Sequence, residues 1–280
     1  MRPQGDRLTG RAEWYLGRYG GEVGIQAVLF DLDNTLFDHQ ASGRAGLKAF
    51  LRHLQATPSA DLASSWFEIE QLSYDRFLSK EISFQEQRRE RLRQFLPMIG
   101  LTDPVEESQL DDLFVTYLQN YERAWTAFRD AEPALQELRA SGITVGVITN
   151  GNHHQQTSKI ERIGLGRLMD GVFSSELTGY AKPAPEAFLI PCESMGISPA
   201  ETLYVGDNYA TDVAGARNAG LQALHLDRLE RRRQGTIHSL ADLVLIAKAV
   251  CSGPVRSGQH LDESFEAASE DPFEASSPSS

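Results

Sequence analysis

The chain has 280 residues with 41% apolar composition, enough sequence for one large domain or for a core domain carrying an insertion. Its 27 Lys and Arg against 39 Asp and Glu give a formal charge of −12, which argues against nonspecific binding to nucleic acid or to an anionic membrane. Two cysteines, Cys192 and Cys251, do not make a disulfide framework, and neither a signal-peptide apolar region nor an uncharged membrane-length span is visible, so a cytoplasmic protein is expected.

In chain order, residues 1–24 mix Gly and Arg and read as a loose arm. Ile25 to Phe30 is an apolar run consistent with a buried strand, and Asp31 and Asp33 stand where it ends. Residues 38–129 then change character to helical periodicity. Leu47, Phe50, Leu51 and Leu54 mark a first helix, Leu62, Trp66, Ile69 and Leu72 a second. A third starts at Ser83, with Glu86 as its capping-box partner, and stops at Pro97. Leu110 to Tyr121 carry a fourth. This helical unit is inserted directly after the two acids, a position suited to a lid.

From residue 130 to 250 the pattern alternates helix and strand. Pro133 opens a helix ending at Gly142, and Ile143 to Ile148 is a strand running into Thr149-Asn150-Gly151. A helix over His154–Ile163 precedes a short strand at Val172-Phe173, with Lys182-Pro183 in the loop beyond it. Pro185 begins the next helix. Leu203-Tyr204-Val205 is a strand ending in Gly206-Asp207-Asn208, and a helix over Ala210–Ala219 leads to a strand over Leu221–Leu226. The series predicts an α/β fold: a Rossmann-like three-layer α/β/α core with a parallel sheet, plus the helical domain inserted after the first strand. Residues 251–280 are Ser-rich and acidic and read as a disordered tail.

If the sheet is parallel, the four polar clusters fall on one edge, where open α/β sheets bind ligands. The assembled groups are three or four carboxylates, a hydroxyl with neighbouring backbone amides, and a lysine. Carboxylates suit Mg²⁺, and a lysine with amides suits a phosphoryl group. Taken singly these residues have plainer readings: Asp212 as an acid favourable in a first helical turn, Lys182 as a solvated lysine, Gly151 as a turn residue.

The ordered set Asp31-Leu32-Asp33-Asn34-Thr35, Thr149-Asn150-Gly151, Lys182-Pro183 and Gly206-Asp207-Asn208 with Asp212 resembles the four motifs of the haloacid dehalogenase-like (HAD) hydrolase superfamily, over about Gln26 to Asp227. The insertion looks like that family's C1-type cap. The resemblance implies that Asp31 is the nucleophile and forms an aspartyl-phosphate, with Asp33 as general acid and base. Thr149, Asn150 and Gly151 would bind the phosphoryl group and Lys182 would neutralise charge between it and Asp31. Mg²⁺ would sit on Asp31, the Asp33 carbonyl and Asp207, with Asp212 supporting the metal or orienting Lys182. The implied activity is a Mg²⁺-dependent phosphatase for a small phosphorylated metabolite such as a nucleotide, sugar phosphate or phosphoglycolate. A 2-haloacid dehalogenase, a sugar-phosphate mutase and a noncatalytic phosphometabolite-binding protein are the alternatives; the dehalogenases of the family lack the second aspartate, so Asp33 favours the phosphatase.

Within the insertion, Phe84, Gln85, Arg88, Arg89, Arg91 and Arg93 form a basic stretch. It reads as a solvated face with Glu86 pairing to a nearby arginine; the alternative is an arginine reaching a substrate's second anionic group. His153 and His154 are adjacent and their side chains diverge, which disfavours a paired metal site. Trp66 and Trp125 read as core.

Overall fold

A computed structural model describes residues 24–228 and 236–251, so the N-terminal arm and the Ser-rich tail expected from the sequence lie outside the described residues. Six strands, β1 (Ala27–Phe30), β2 (Thr144–Thr149), β3 (Gly171–Ser174), β4 (Thr202–Gly206), β5 (Gln222–Leu226) and β6 (Thr236–Ile237), form one sheet in the order β3-β2-β1-β4-β5-β6. Every neighbouring pair is parallel. β1 lies centrally and its four residues are fully buried, which explains an unbroken apolar run rather than alternation.

Ten helices are described. α1 (His39–His53), α2 (Ala60–Leu78), α3 (Phe84–Phe95) and α4 (Glu107–Arg123) make up the insertion; α5 (Ala131–Ala140), α6 (His153–Arg162), α7 (Ser175–Thr178), α8 (Glu186–Met195), α9 (Gly215–Asn218) and α10 (Leu240–Cys251) belong to the sheet unit. None is long and apolar enough to cross a membrane. The fold is therefore a parallel Rossmann-like α/β core interrupted after β1 by a helical unit.

Local boundaries differ from expectation in physically readable ways. Ser83 does cap α3, its hydroxyl accepting from the Glu86 amide at 3.1 Å, but Pro97 does not stop the chain's coiling, because a 3₁₀ turn over Leu96–Ile99 follows and Gly100 ends it with φ 84°. α5 begins at Ala131, so Pro133 sits inside its first turn, where its missing N–H costs nothing. The predicted helix over 210–219 is a π-helical turn, Tyr209–Ala214, followed by α9. α7 and β6 are too short to leave a periodic signal.

The helices of the insertion pack around Trp66 in a hydrophobic cluster continuous with that of the sheet unit. Trp66 is fully buried with its ring centroid 4.9 Å from Phe95 and 4.5 Å from Tyr117, and its indole N–H donates to the Tyr117 hydroxyl at 3.2 Å. Ser73 rather than Leu72 completes the buried face of α2, and Leu72 is exposed. Trp125 packs edge-on against Phe37 and Tyr121 where the insertion rejoins the sheet unit. There the outgoing and returning strands run side by side: Phe37 bridges Ala127 in antiparallel sense, and the Asp38 and Phe128 amides donate to Thr126 and Leu36 carbonyls. Arg228 fastens this junction from the sheet side, donating to the Asp130 carboxylate and the Thr35 carbonyl.

Candidate active site

Strand register determines what meets at the sheet edge. Phe30 is aligned with Val147 of β2 and Val205 of β4, so one residue further on Asp31 is level with Ile148 and Gly206; the Asp31 amide donates to the Val205 carbonyl at 2.9 Å. Asn150 and Asp207 leave the same edge from β2 and β4. All four polar clusters read from the sequence are brought to one cavity of about 380 Å³, lined on the sheet side by Asp31, Asp33, Thr149, Asn150, Gly151, Lys182, Asp207 and Asp212.

Lys182 is buried and its ammonium is shared among Asp31 Oδ1 at 2.7 Å, Asp212 Oδ1 at 2.7 Å and the Tyr204 hydroxyl at 2.9 Å. Burial alone would lower its proton affinity, but the two carboxylates raise it well above the ordinary lysine range and hold the charge. Asp212 is occupied on both oxygens, since Oδ2 accepts the Asn208 amide at 3.0 Å. Its geometry is that of a residue orienting Lys182 and the turn after β4.

Asn150 uses its whole carboxamide on the Lys182 backbone, accepting from the amide at 2.8 Å and donating to the carbonyl at 3.1 Å. The second cluster thus fixes the position of the third. Thr149 is buried, and Gly151 adopts φ 129°, a backbone state that a side chain would strain.

Two residues not singled out in the sequence complete this part of the site. Gln156 and Lys159 stand one turn apart on α6; Gln156 Nε2 donates to Asp33 Oδ2 at 3.0 Å and to Thr149 Oγ1 at 2.8 Å, while Lys159 Nζ lies 2.6 Å from Asp33 Oδ1. Burial pushes the Asp33 carboxyl up, and Lys159 with His39 outweighs that, leaving it at about 2 and ionised. An i, i+3 pair of long polar residues on a helix starting at the second cluster was the available signal. His153 and His154 do not line the cavity; His153 Nδ1 is 3.3 Å from Ser174 Oγ and His154 is exposed.

Asp31, Asp207 and Asp212 each offer an oxygen within 4.8 Å of the others. Burial, followed by the neighbouring acids, pushes Asp31 up to about 8 against the pull of Lys182, and burial with Asp212 pushes Asp207 up to about 7. Asp31 and Asp207, hard oxygen donors that repel one another, suit a divalent cation such as Mg²⁺, with Asp212 behind them on Lys182.

The insertion supplies the opposite wall. His39 Nδ1 is 2.8 Å from the Tyr121 hydroxyl, its Nε2 3.4 Å from Glu70 Oε2, and Glu70 in turn lies 3.0 Å from Arg91 Nη2. The basic stretch of α3 divides. Arg89 and Arg93 form surface ion pairs with Glu86, Glu107 and Asp111, as a solvated face would, whereas Arg88 and Arg91 line the cavity.

Comparison with known proteins agrees with this fold. The chain matches the haloacid dehalogenase-like hydrolase family over residues 25–220 and belongs to it; it is a hydrolase of that family. It is 31% identical over 208 residues to the ribulose-1,5-bisphosphate 5-phosphatase of Halopiger xanaduensis, covering 73% of this chain and 85% of that one. The magnesium-bound HAD-hydrolase YfnB from Bacillus subtilis has the same fold, with a TM-score of 0.69, 23% identity and coverage of 80% of this chain and 99% of that one. The L-2-haloacid dehalogenase from Xanthobacter autotrophicus superimposes with a TM-score of 0.62 at 25% identity, covering 80% and 98%.

Proposed function

We propose that this protein is a cytoplasmic Mg²⁺-dependent phosphatase of small phosphomonoesters that works through an aspartyl-phosphate on Asp31. The observation that carries the reading is the pair of acids two residues apart with different environments: Asp31 against Lys182, and Asp33 held ionised by Lys159. The named phosphatase from Halopiger supports it, and Asp33 distinguishes it from a dehalogenase, which needs no acid for an alkoxide leaving group.

In this mechanism an Asp31 carboxylate oxygen attacks phosphorus and the bond to the ester oxygen breaks. Asp33, whose proton uptake is favoured by the incoming phosphoryl charge, protonates that oxygen. It then takes a proton from water as the water attacks the acyl phosphate, returning Asp31 and releasing phosphate. Thr149 and the Asn150 amide bind the phosphoryl oxygens, Lys182 offsets their charge, and Gly151, whose amide donates to Ser175 Oγ at 2.9 Å, shapes the turn that presents them. Asp31 and Asp207, with the Asp33 carbonyl, would hold Mg²⁺, which supplies charge neutralisation at the phosphoryl group when bound. The helical unit of residues 38–129 acts as the cap that excludes bulk water over the core of residues 25–37 and 130–250.

The test is a phosphate-release screen over nucleotides, sugar phosphates and phosphoglycolate, with Mg²⁺ and with EDTA, alongside halide release from a 2-haloacid. Phosphate release that requires Mg²⁺ and is lost in Asp31→Asn is expected. Halide release without phosphate release, or turnover retained in Asp31→Asn, would overturn the reading.

A further inference from the structure

The geometry points to Arg88 as a specificity-determining residue that binds a second anionic group on the substrate, so that the preferred substrates are phosphomonoesters also bearing a carboxylate or another phosphate. This rests on the phosphatase reading and names its substrate class.

The cavity runs from the acids at the sheet edge to α3 and α4, where Phe84, Arg88, Arg91 and Phe114 line it. The other cationic side chains of its wall each have a carboxylate within 4 Å: Lys182 has Asp31 and Asp212, Lys159 has Asp33, and Arg91 and His39 have Glu70. Arg88 has none among the described residues. Its guanidinium carbon rests 4.4 Å from the Phe84 ring centroid and 5.3 Å from that of Phe114.

Ring faces hold a guanidinium in place but satisfy none of its five N–H donors. Half-buried and beside Arg91, the group is short of negative charge; burial, then Arg91, pushes its proton affinity below the ordinary arginine value against the weaker pull of Asp111, whose two oxygens are taken by Arg89 and Gln85. The acids of the same wall do not supply the deficit, because Glu70 is held by Arg91 and His39, and Asp75 accepts from Gln71 at 2.8 Å. Arg89, the next residue, shows the contrast: it makes a two-pronged contact with Asp111, at 2.8 and 2.7 Å. An arginine fork placed by aromatic faces and left facing a cavity is suited to bidentate contact with a carboxylate or phosphate entering with the substrate.

Matched substrate pairs test this in steady-state kinetics with Mg²⁺: 2-phosphoglycolate against ethyl phosphate, and fructose 1,6-bisphosphate against fructose 1-phosphate. The first pair reports a carboxylate, the second a phosphate. In the wild type at least one charged member should exceed its partner in kcat/KM by about tenfold or more, and Arg88→Gln should collapse that ratio by about 10- to 100-fold, chiefly through KM. Arg88→Lys, which keeps the charge and loses the fork, should retain an intermediate ratio. Equal kcat/KM within both pairs, or a ratio that Arg88→Gln and Arg88→Lys leave intact, would overturn the role of Arg88 while leaving the phosphatase standing. Failure to hydrolyse any of the four esters would overturn the substrate class alone if the wider screen shows phosphate release, and both readings if it shows none.

Discussion

Lys159 Nζ stands 2.6 Å from Asp33 Oδ1, joining residues 126 positions apart in the chain, and Gln156 from the preceding turn of α6 holds the other Asp33 oxygen. The helix that starts at the second sequence cluster therefore reaches back to orient the acid of the first. Both donors must be buried to do this, and Lys159 is 3% exposed.

Replacing Lys159 by Met keeps the bulk of the side chain and removes its charge, leaving Asp33 held on one oxygen only, by Gln156, and less favoured as a carboxylate. In the proposed mechanism Asp33 moves protons in both chemical steps, so kcat should fall by about 100-fold, within the usual range for a general acid or base, with a smaller change in KM. Initial-rate kinetics on any accepted phosphomonoester, with circular dichroism to verify the fold, make the measurement. A kcat within about twofold of wild type would show that Asp33 does not depend on Lys159.

Glu70 gives the stability a pH dependence of definite sign. Burial raises its proton affinity, but Arg91 and His39 outweigh that and bring it from 4.5 down to about 2. A carboxyl depressed on folding stabilises the native state above its unfolded value, and that contribution is lost as pH falls from about 4.5 through 2. His39 acts in the opposite sense. Burial opposes its charging, Glu70 and Asp33 prevail and raise it above 6.5, and its contribution is lost as pH rises through the raised value. Glu70→Gln should therefore be less stable than wild type by about 2–3 kcal/mol near pH 5–6, with the gap closing towards pH 2. Urea unfolding followed by tryptophan fluorescence at several pH values measures it, and a gap independent of pH would disprove the assignment.

The sheet and its four acidic or polar exits were legible because each combines a buried apolar run with polar residues at its end, as in β1 followed by Asp31 and Asp33. Register then does what sequence spacing cannot show, setting Asp31 level with Gly206 and Ile148. The partners of those exits were less visible. Gln156 and Lys159 lie on an otherwise polar helix, where burial at the site rather than periodicity decides their role. Arg88 and Arg89 are neighbours in one basic stretch, and only the rotation of α3 against α4 sends one to the cavity and the other to Asp111. Nor does the sequence show that the Asn150 carboxamide is committed to the Lys182 backbone, which leaves its main-chain amide as the group free to meet a phosphoryl oxygen.

Two glycines of α1 show how closely the insertion is packed. A Cβ on Gly46 would lie 2.6 Å from Tyr121 Cα and 2.8 Å from its backbone nitrogen on α4, so the helices themselves would have to part. A Cβ on Gly43 would meet the tip of the Phe67 ring at 2.8 Å, a side chain that can turn away. Alanine gains about 0.5–1 kcal/mol over glycine within a helix, which offsets a soft contact but not a forced separation of backbones. Gly43→Ala should thus be nearly neutral in thermal unfolding, while Gly46→Ala should cost about 1–3 kcal/mol. Because Tyr121 bonds His39 at 2.8 Å in the cavity wall, Gly46→Ala should also weaken turnover at temperatures where it remains folded. Equal melting temperatures for the two variants would mean that α1 and α4 are not held at the spacing described.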